Sequence, residues 1–151
     1  MKIHEISPKP LTFEIIEEIL NDSIELRISK QSIDKIKHSR SYLEEKVDSG
    51  DEAIYGINTG FGSLYNVSVS KEDLSKLQEN LVKSHACGTG EEIDPEIVKL
   101  MMILKAHALS YGNSGIQLSS VEKLCKLFNK EIIPVVYEYG SLGASGDLAP
   151  L

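Results

Sequence analysis

The chain has 151 residues, 41% of them hydrophobic and 26% charged, with 16 basic against 23 acidic side chains and a formal net charge of −7. This balance fits a globular domain with a real core and argues against nucleic acid or an anionic membrane as the main partner, since both need a basic surface. The longest apolar run is too short to span a bilayer, Met1-Lys2-Ile3-His4-Glu5 holds no apolar signal core, and two cysteines, Cys87 and Cys125, make no disulfide framework, so a cytoplasmic location is expected.

Pro8 and Pro10 keep residues 1–11 extended. Thr12 is a predicted N-cap for a short helix whose apolar face uses Phe13, Ile16, Ile19 and Leu20, and Asn21-Asp22-Ser23 breaks it. A second helix is predicted from near Ser32, with Ile33, Ile36, Leu43 and Val47 on one face, Arg40 between them and Gly50 at its end. His38 and Arg40 on this helix are assigned to solvent or to a partner rather than to catalysis.

The stretch Ala53-Ile54-Tyr55-Gly56-Ile57-Asn58-Thr59-Gly60-Phe61-Gly62 is too rich in glycine for a helix and reads as a loop. Gly60-Phe61-Gly62 lacks the rest of a phosphate-loop fingerprint. Read from residue type alone, Tyr55 is a buried structural tyrosine. Ser70, with Asp73 three residues on, is a predicted N-cap. The helix then runs through Leu74, Leu77, Leu81 and Val82 to about Ala86, where Cys87-Gly88-Thr89-Gly90 stops it. His85 falls in its last turn, where a cation meets the helix dipole favourably. His85, Cys87 and His107 have no second ligand pair at zinc-site spacing, so no metal is expected.

Asp94-Pro95-Glu96 is a strong helix start: a capping carboxylate, proline at the first position and an acid in the first turn. Ile97, Val98, Met101, Met102, Leu104, Ala108 and Leu109 predict a broad buried face, and Gly112-Asn113-Ser114-Gly115 ends the helix. Ser119 or Ser120 is predicted to cap a further helix carrying Val121, Leu124, Phe128 and an inert Cys125. Ile132 to Tyr137 is extended, with Pro134 allowed only at an edge. The elements are therefore mostly α.

Two motifs and a helix end carry a family resemblance. Residues 140–151, Gly-Ser-Leu-Gly-Ala-Ser-Gly-Asp-Leu-Ala-Pro-Leu, and residues 55–62, Tyr-Gly-Ile-Asn-Thr-Gly-Phe-Gly, resemble the signatures of the 4-methylidene-imidazol-5-one (MIO) ammonia-lyases, which act on histidine, phenylalanine or tyrosine. Residues 77–88, Leu-Gln-Glu-Asn-Leu-Val-Lys-Ser-His-Ala-Cys-Gly, are similar to the helix end that carries Ser-His in the histidine-specific members. The resemblance implies the N-terminal part of a largely helical fold that works as a homotetramer. It also implies an electrophilic ring made by the chain itself from Ala144, Ser145 and Gly146, with no external cofactor. The residue types allow this: Gly146 has no Cβ, so its nitrogen can reach the uncrowded Ala144 carbonyl, and Ser145 supplies the hydroxyl lost as the second water.

By the same resemblance Tyr55 is the catalytic base, Ser84 and His85 hold the substrate ring, and the substrate is L-histidine, converted to trans-urocanate and ammonia. A tyrosine titrates near pH 10, so that role needs donors or positive charge at its oxygen. A site built to hydrogen-bond an imidazole rejects an apolar ring. The chain departs from the family where Asn113 and Gln117 stand in place of a tyrosine and an arginine, which keeps open a phenylalanine or tyrosine ammonia-lyase or an aminomutase. Family members are much longer, so residues 1–151 are expected to be an incomplete N-terminal region, inactive alone. A non-catalytic remnant is the rival from another class. A serine hydrolase is disfavoured, because Gly143-Ala144-Ser145-Gly146-Asp147 lacks the nucleophile-elbow glycine.

Overall fold

The structure, a computed structural model, describes residues 2–49, 53–60 and 62–140. Five α-helices and four short strands are present among them. They fall into two compact units, one made of Met1–Glu45 with Ile93–Val135, the other of Lys46–Glu92 with Val136–Leu151.

The first unit opens with a strand–helix–strand segment. Strand β1 (Lys2–Ile6) leads through the two prolines to α1 (Phe13–Asn21) and then β2 (Ile24–Ile28). The strands pair in parallel, Lys2 opposite Ile24 and Ile6 opposite Ile28. In β2 alternate residues face opposite ways: Ile24 and Leu26 are buried, whereas Arg27 and Glu25 pair at 2.8 Å on the other face. Thr12 caps α1 as expected, its hydroxyl accepting from Ile15 N at 3.4 Å. The apolar face is rotated from the expectation, however. Phe13, in the first turn, is 87% exposed, while Ile19 is buried and Ile15 and Leu20 pack against the core.

Helix α2 (Lys30–Ser49) begins two residues before Ser32, near which its start was predicted, and Ser29 caps it. The Ser29 hydroxyl accepts from Ser32 N at 3.2 Å, and Ser32, fully buried, donates from its own hydroxyl to the Ile6 carbonyl at 3.3 Å. Gly50, its predicted stop, lies outside the described residues.

Helix α4, after α3 of the second unit, spans Pro95–Ser110, and the Asp94 carboxylate accepts from Glu96 N at 2.8 Å as predicted. Its buried side is a narrow stripe of Val98, Met102, Ile103, Ala106 and Ser110; Ile97 and Leu104 lie outside it, 53% and 44% exposed. Helix α5 spans Leu118–Asn129, and its N-cap is Gln117, without a side-chain bond, rather than Ser119 or Ser120. The core joins Ile6, Ile19, Ile24, Leu26, Met102, Ile103, Ala106, Cys125 and Phe128. Each such large aliphatic side chain contributes about 1.5–3 kcal/mol by leaving water.

The second unit holds α3 (Leu74–His85) and an antiparallel pair of β3 (Thr89–Glu92) with β4 (Tyr137–Tyr139), whose register is irregular. Among its described residues only Thr59 is buried. Leu64, Tyr65, Val67, Val82, Tyr137 and Tyr139 are all exposed.

Candidate active site

Tyr55 sits in a tight turn that its neighbours build. Ile57 N and Asn58 N both donate to the Ile54 carbonyl, at 3.0 and 3.2 Å, and the Asn58 side-chain oxygen accepts from Ile54 N at 2.7 Å. Asn58 thus ties both backbone groups of Ile54, a local side-chain bond of the kind that fixes turns. Gly56 adopts φ 77°, where a side chain would strain the backbone. Beyond the turn, Val69 N donates to Asn58 O at 2.8 Å and Gly60 N to Val67 O at 3.0 Å, which pairs the backbone of residues 58–60 with that of residues 67–69. Gly60 leaves no room for a side chain: a Cβ there would lie 2.5 Å from Leu64 Cβ and 2.8 Å from its carbonyl oxygen. Tyr55 itself is 63% exposed, so the reading of a buried structural tyrosine does not hold.

The predicted cap of α3 is displaced. Ser70 donates to the Asp73 carboxylate at 2.9 Å, but the intervening turn Lys71–Asp73 is 3-10, and the α-helix starts only at Leu74. At the other end the helix brings Ser84 and His85 together. The Ser84 hydroxyl donates to the Leu81 carbonyl at 2.8 Å and lies 3.0 Å from His85 Nδ1, and Nδ1 lies 2.9 Å from the same carbonyl. The three atoms form a closed triangle. The ring is half-buried, and among the described residues Nε2 makes no hydrogen bond.

Tyr55 and the Ser84–His85 pair belong to the same compact unit. Ala144, Ser145 and Gly146 fall outside the described residues. Asn113 and Gln117 belong to the first unit and are exposed. Cys125 is buried, and burial pushes its thiol up to about 11, so it holds its proton at neutral pH. No group of three histidine, cysteine or acidic side chains able to hold a metal ion occurs among the described residues. Residue-by-residue reading passed over Asn58, Gly60 and the Leu81 carbonyl. The first two were visible only as letters of the motif. The third is a backbone group, which has no signal in side-chain identity.

The model of the aromatic amino acid lyase family matches residues 11–151. The histidine ammonia-lyase of Caldanaerobacter subterraneus is 44% identical over 151 residues, covering 100% of this chain and 30% of that protein. Among solved structures, the histidine ammonia-lyase of Trypanosoma cruzi superposes with a TM-score of 0.81 at 31% identity, over 99% of this chain and 28% of that one. The phenylalanine aminomutase of Pantoea agglomerans superposes with a TM-score of 0.86 at 32% identity, over 100% and 28%. The expected mostly α fold, the N-terminal part of a helical lyase, is therefore the one observed, and the chain spans about 30% of the length of the curated relatives it matches.

Proposed function

The chain belongs to the aromatic amino acid lyase family, and from that premise we propose that residues 1–151 are the N-terminal, MIO-bearing region of a histidine ammonia-lyase. The observation that carries the choice of histidine is the triangle at the end of α3, which fixes an imidazole with one nitrogen unengaged among the described residues. An imidazole held in this way is a hydrogen-bonding partner for another imidazole and a poor one for a phenyl ring.

In this reading Tyr55 takes the proton from the β-carbon of the substrate. Its side chain is largely exposed, and the turn around Gly56 and Asn58 fixes its Cα. Ser84 and His85 orient the imidazole ring, which sets the β-proton against the base. Ala144, Ser145 and Gly146 are the residues from which the MIO ring would form, and their chemistry fits it: an uncrowded carbonyl, a hydroxyl that leaves, and a nitrogen flanked by no Cβ. Once formed, the group supplies an electron sink for the departing amine, the inverse of nucleophilic catalysis.

Activity needs more than this chain. The unit that carries Tyr55, Ser84 and His85 exposes Leu64, Tyr65, Val67 and Val82, apolar surface of the kind that neighbouring structure covers. The reading therefore places the chain in a longer cytoplasmic protein acting as a homotetramer on L-histidine. The likeness to a phenylalanine aminomutase favours a second reading within the family, and Asn113 and Gln117 leave room for it. The test is urocanate formation from L-histidine, against L-phenylalanine and L-tyrosine, by this chain and by the chain completed to the relatives' length with the C-terminal part of the Caldanaerobacter enzyme. Histidine turnover by the completed protein alone is expected. Turnover of phenylalanine or tyrosine in its place selects the second reading, and none with any of the three selects a non-catalytic remnant.

A further inference from the structure

We propose that the end of α3 holds His85 in its Nδ1–H tautomer, so that the neutral ring presents Nε2 as a bare acceptor and selects a substrate ring that donates an N–H. The argument is a count of protons in the triangle. The Leu81 carbonyl has no proton and can only accept. It lies 2.8 Å from Ser84 Oγ and 2.9 Å from His85 Nδ1, and these two lie 3.0 Å apart.

If the neutral ring carried its proton on Nε2, Nδ1 would be a lone pair 2.9 Å from a carbonyl oxygen. The only proton left in the triangle would be that of the Ser84 hydroxyl. Given to Nδ1, it would leave Ser84 Oγ facing the carbonyl at 2.8 Å as a second contact between acceptors. Given to the carbonyl, it would leave Nδ1 with two. With the proton on Nδ1, each contact has a donor: Ser84 O–H and Nδ1–H both point at the Leu81 oxygen, and Nδ1–H is shared with Ser84 Oγ. No arrangement of the other tautomer achieves this, and the half-buried contact between Nδ1 and the Leu81 carbonyl is the one it necessarily leaves as two facing acceptors.

Ser84 is then a positioning residue. Its hydroxyl proton is committed to the Leu81 carbonyl, and its contact with Nδ1 fixes the ring plane. Recognition falls to His85 Nε2. The tautomer of one ring nitrogen is set by the bond that the other makes. Here it stands opposite to the form that free histidine prefers, in which Nε2 carries the proton. The consequence for substrate class rests on the reading of this site as the ring-binding part of an ammonia-lyase. An imidazole that donates an N–H is accepted, whereas a pyridyl ring, whose nitrogen only accepts, meets Nε2 lone pair to lone pair.

The test is read on this chain without turnover. Long-range proton–nitrogen correlation spectra of 15N-histidine-labelled protein, recorded at about pH 8.5, two units above the ordinary imidazole value, distinguish a protonated from a bare ring nitrogen. His85→Gln assigns the signals. The expected result is a protonated Nδ1 and a bare Nε2 for His85, with an Nδ1 proton protected from exchange, and retention of the pattern in Ser84→Thr, whose hydroxyl can make the same bond. A bare Nδ1, or an Nε2 proton in the major form, overturns the proposal. The two readings fail separately. An Nδ1–H tautomer in a completed protein that turns over no histidine removes the lyase reading and leaves the tautomer. The other tautomer together with histidine turnover does the reverse.

Discussion

Asn129 tests the account of the first unit most sharply, because one side chain there replaces a strand. Both backbone groups of Leu26 face away from β1. Leu26 N donates to Asn129 Oδ1 at 2.8 Å, and Asn129 Nδ2 donates to Leu26 O at 2.9 Å. The amide thus closes the edge of β2 as a peptide group of a third strand would. Leu26 is 2% exposed, so Asn129→Ala leaves a buried N–H and a buried C=O without partners. At about 1–3 kcal/mol each, with some relief from water entering at the helix end, the expected loss is about 3 kcal/mol. Urea denaturation followed by circular dichroism measures it: at a slope of about 1–3 kcal/mol/M, the midpoint falls by at least about 1 M with the slope unchanged. Asn129→Asp is the informative companion. It keeps an acceptor for Leu26 N but turns a second acceptor on Leu26 O, so it should be no more stable than the alanine variant. A loss below about 0.5 kcal/mol for Asn129→Ala, within the range of neutral surface changes, or an aspartate variant as stable as the parent, would refute the reasoning.

The remaining predictions concern titration, thiol reactivity and the tyrosine turn. Burial holds both His4 and His107 below the ordinary imidazole value, so the unfolded chain binds more protons than the folded one near and below pH 6.5. Stability is therefore full above that value and falls as the pH drops through it. The urea midpoint should decrease from about pH 7.5 to about pH 5.5 and the His107→Gln variant should show less of the decrease; a midpoint that rises on acidification contradicts this. At about pH 8, a thiol reagent should modify Cys87 in the native chain and reach Cys125 only on unfolding, since Cys87 is exposed and Cys125 is buried with its thiol pushed up to about 11. Gly60→Ala places a Cβ 2.5 Å from Leu64 Cβ, which must shift the loop that follows Tyr55. In the completed protein, histidine turnover should drop by about 100-fold, the usual effect of displacing a reacting group by about 1 Å, and unchanged turnover would show that the loop does not position Tyr55.

What was legible in the sequence was the chemistry that acts over a few residues. Thr12 and Asp94-Pro95 announced their helices because a cap is a contact between neighbours. Features made by distant residues were not legible. Ser29 caps α2, and Ser32, near the predicted start, donates to the Ile6 carbonyl of β1, a partner 26 positions away. The strand β2 is five residues long, too short for its alternation to stand out, and its partner for closure is a side chain of α5. The β3–β4 pairing joins segments more than forty residues apart. Phe13 followed the helical period yet lies exposed, since the face of α1 turned to the core runs through Ile15 and Ile19 instead. At the candidate site, Tyr55, Ser84 and His85 were named by resemblance, whereas the Asn58 clamp and the Leu81 triangle became visible only from backbone geometry.

The central claim is that Ala144-Ser145-Gly146 becomes the electrophile of a lyase. It is tested most directly by peptide mass mapping across residues 140–151, first in this chain and then in the chain completed with the C-terminal part of the Caldanaerobacter enzyme. The account predicts a deficit of two waters at Ala144-Ser145-Gly146 in the completed protein, lost in a Ser145→Ala variant. An unmodified mass for these residues in a completed protein that is folded would contradict it.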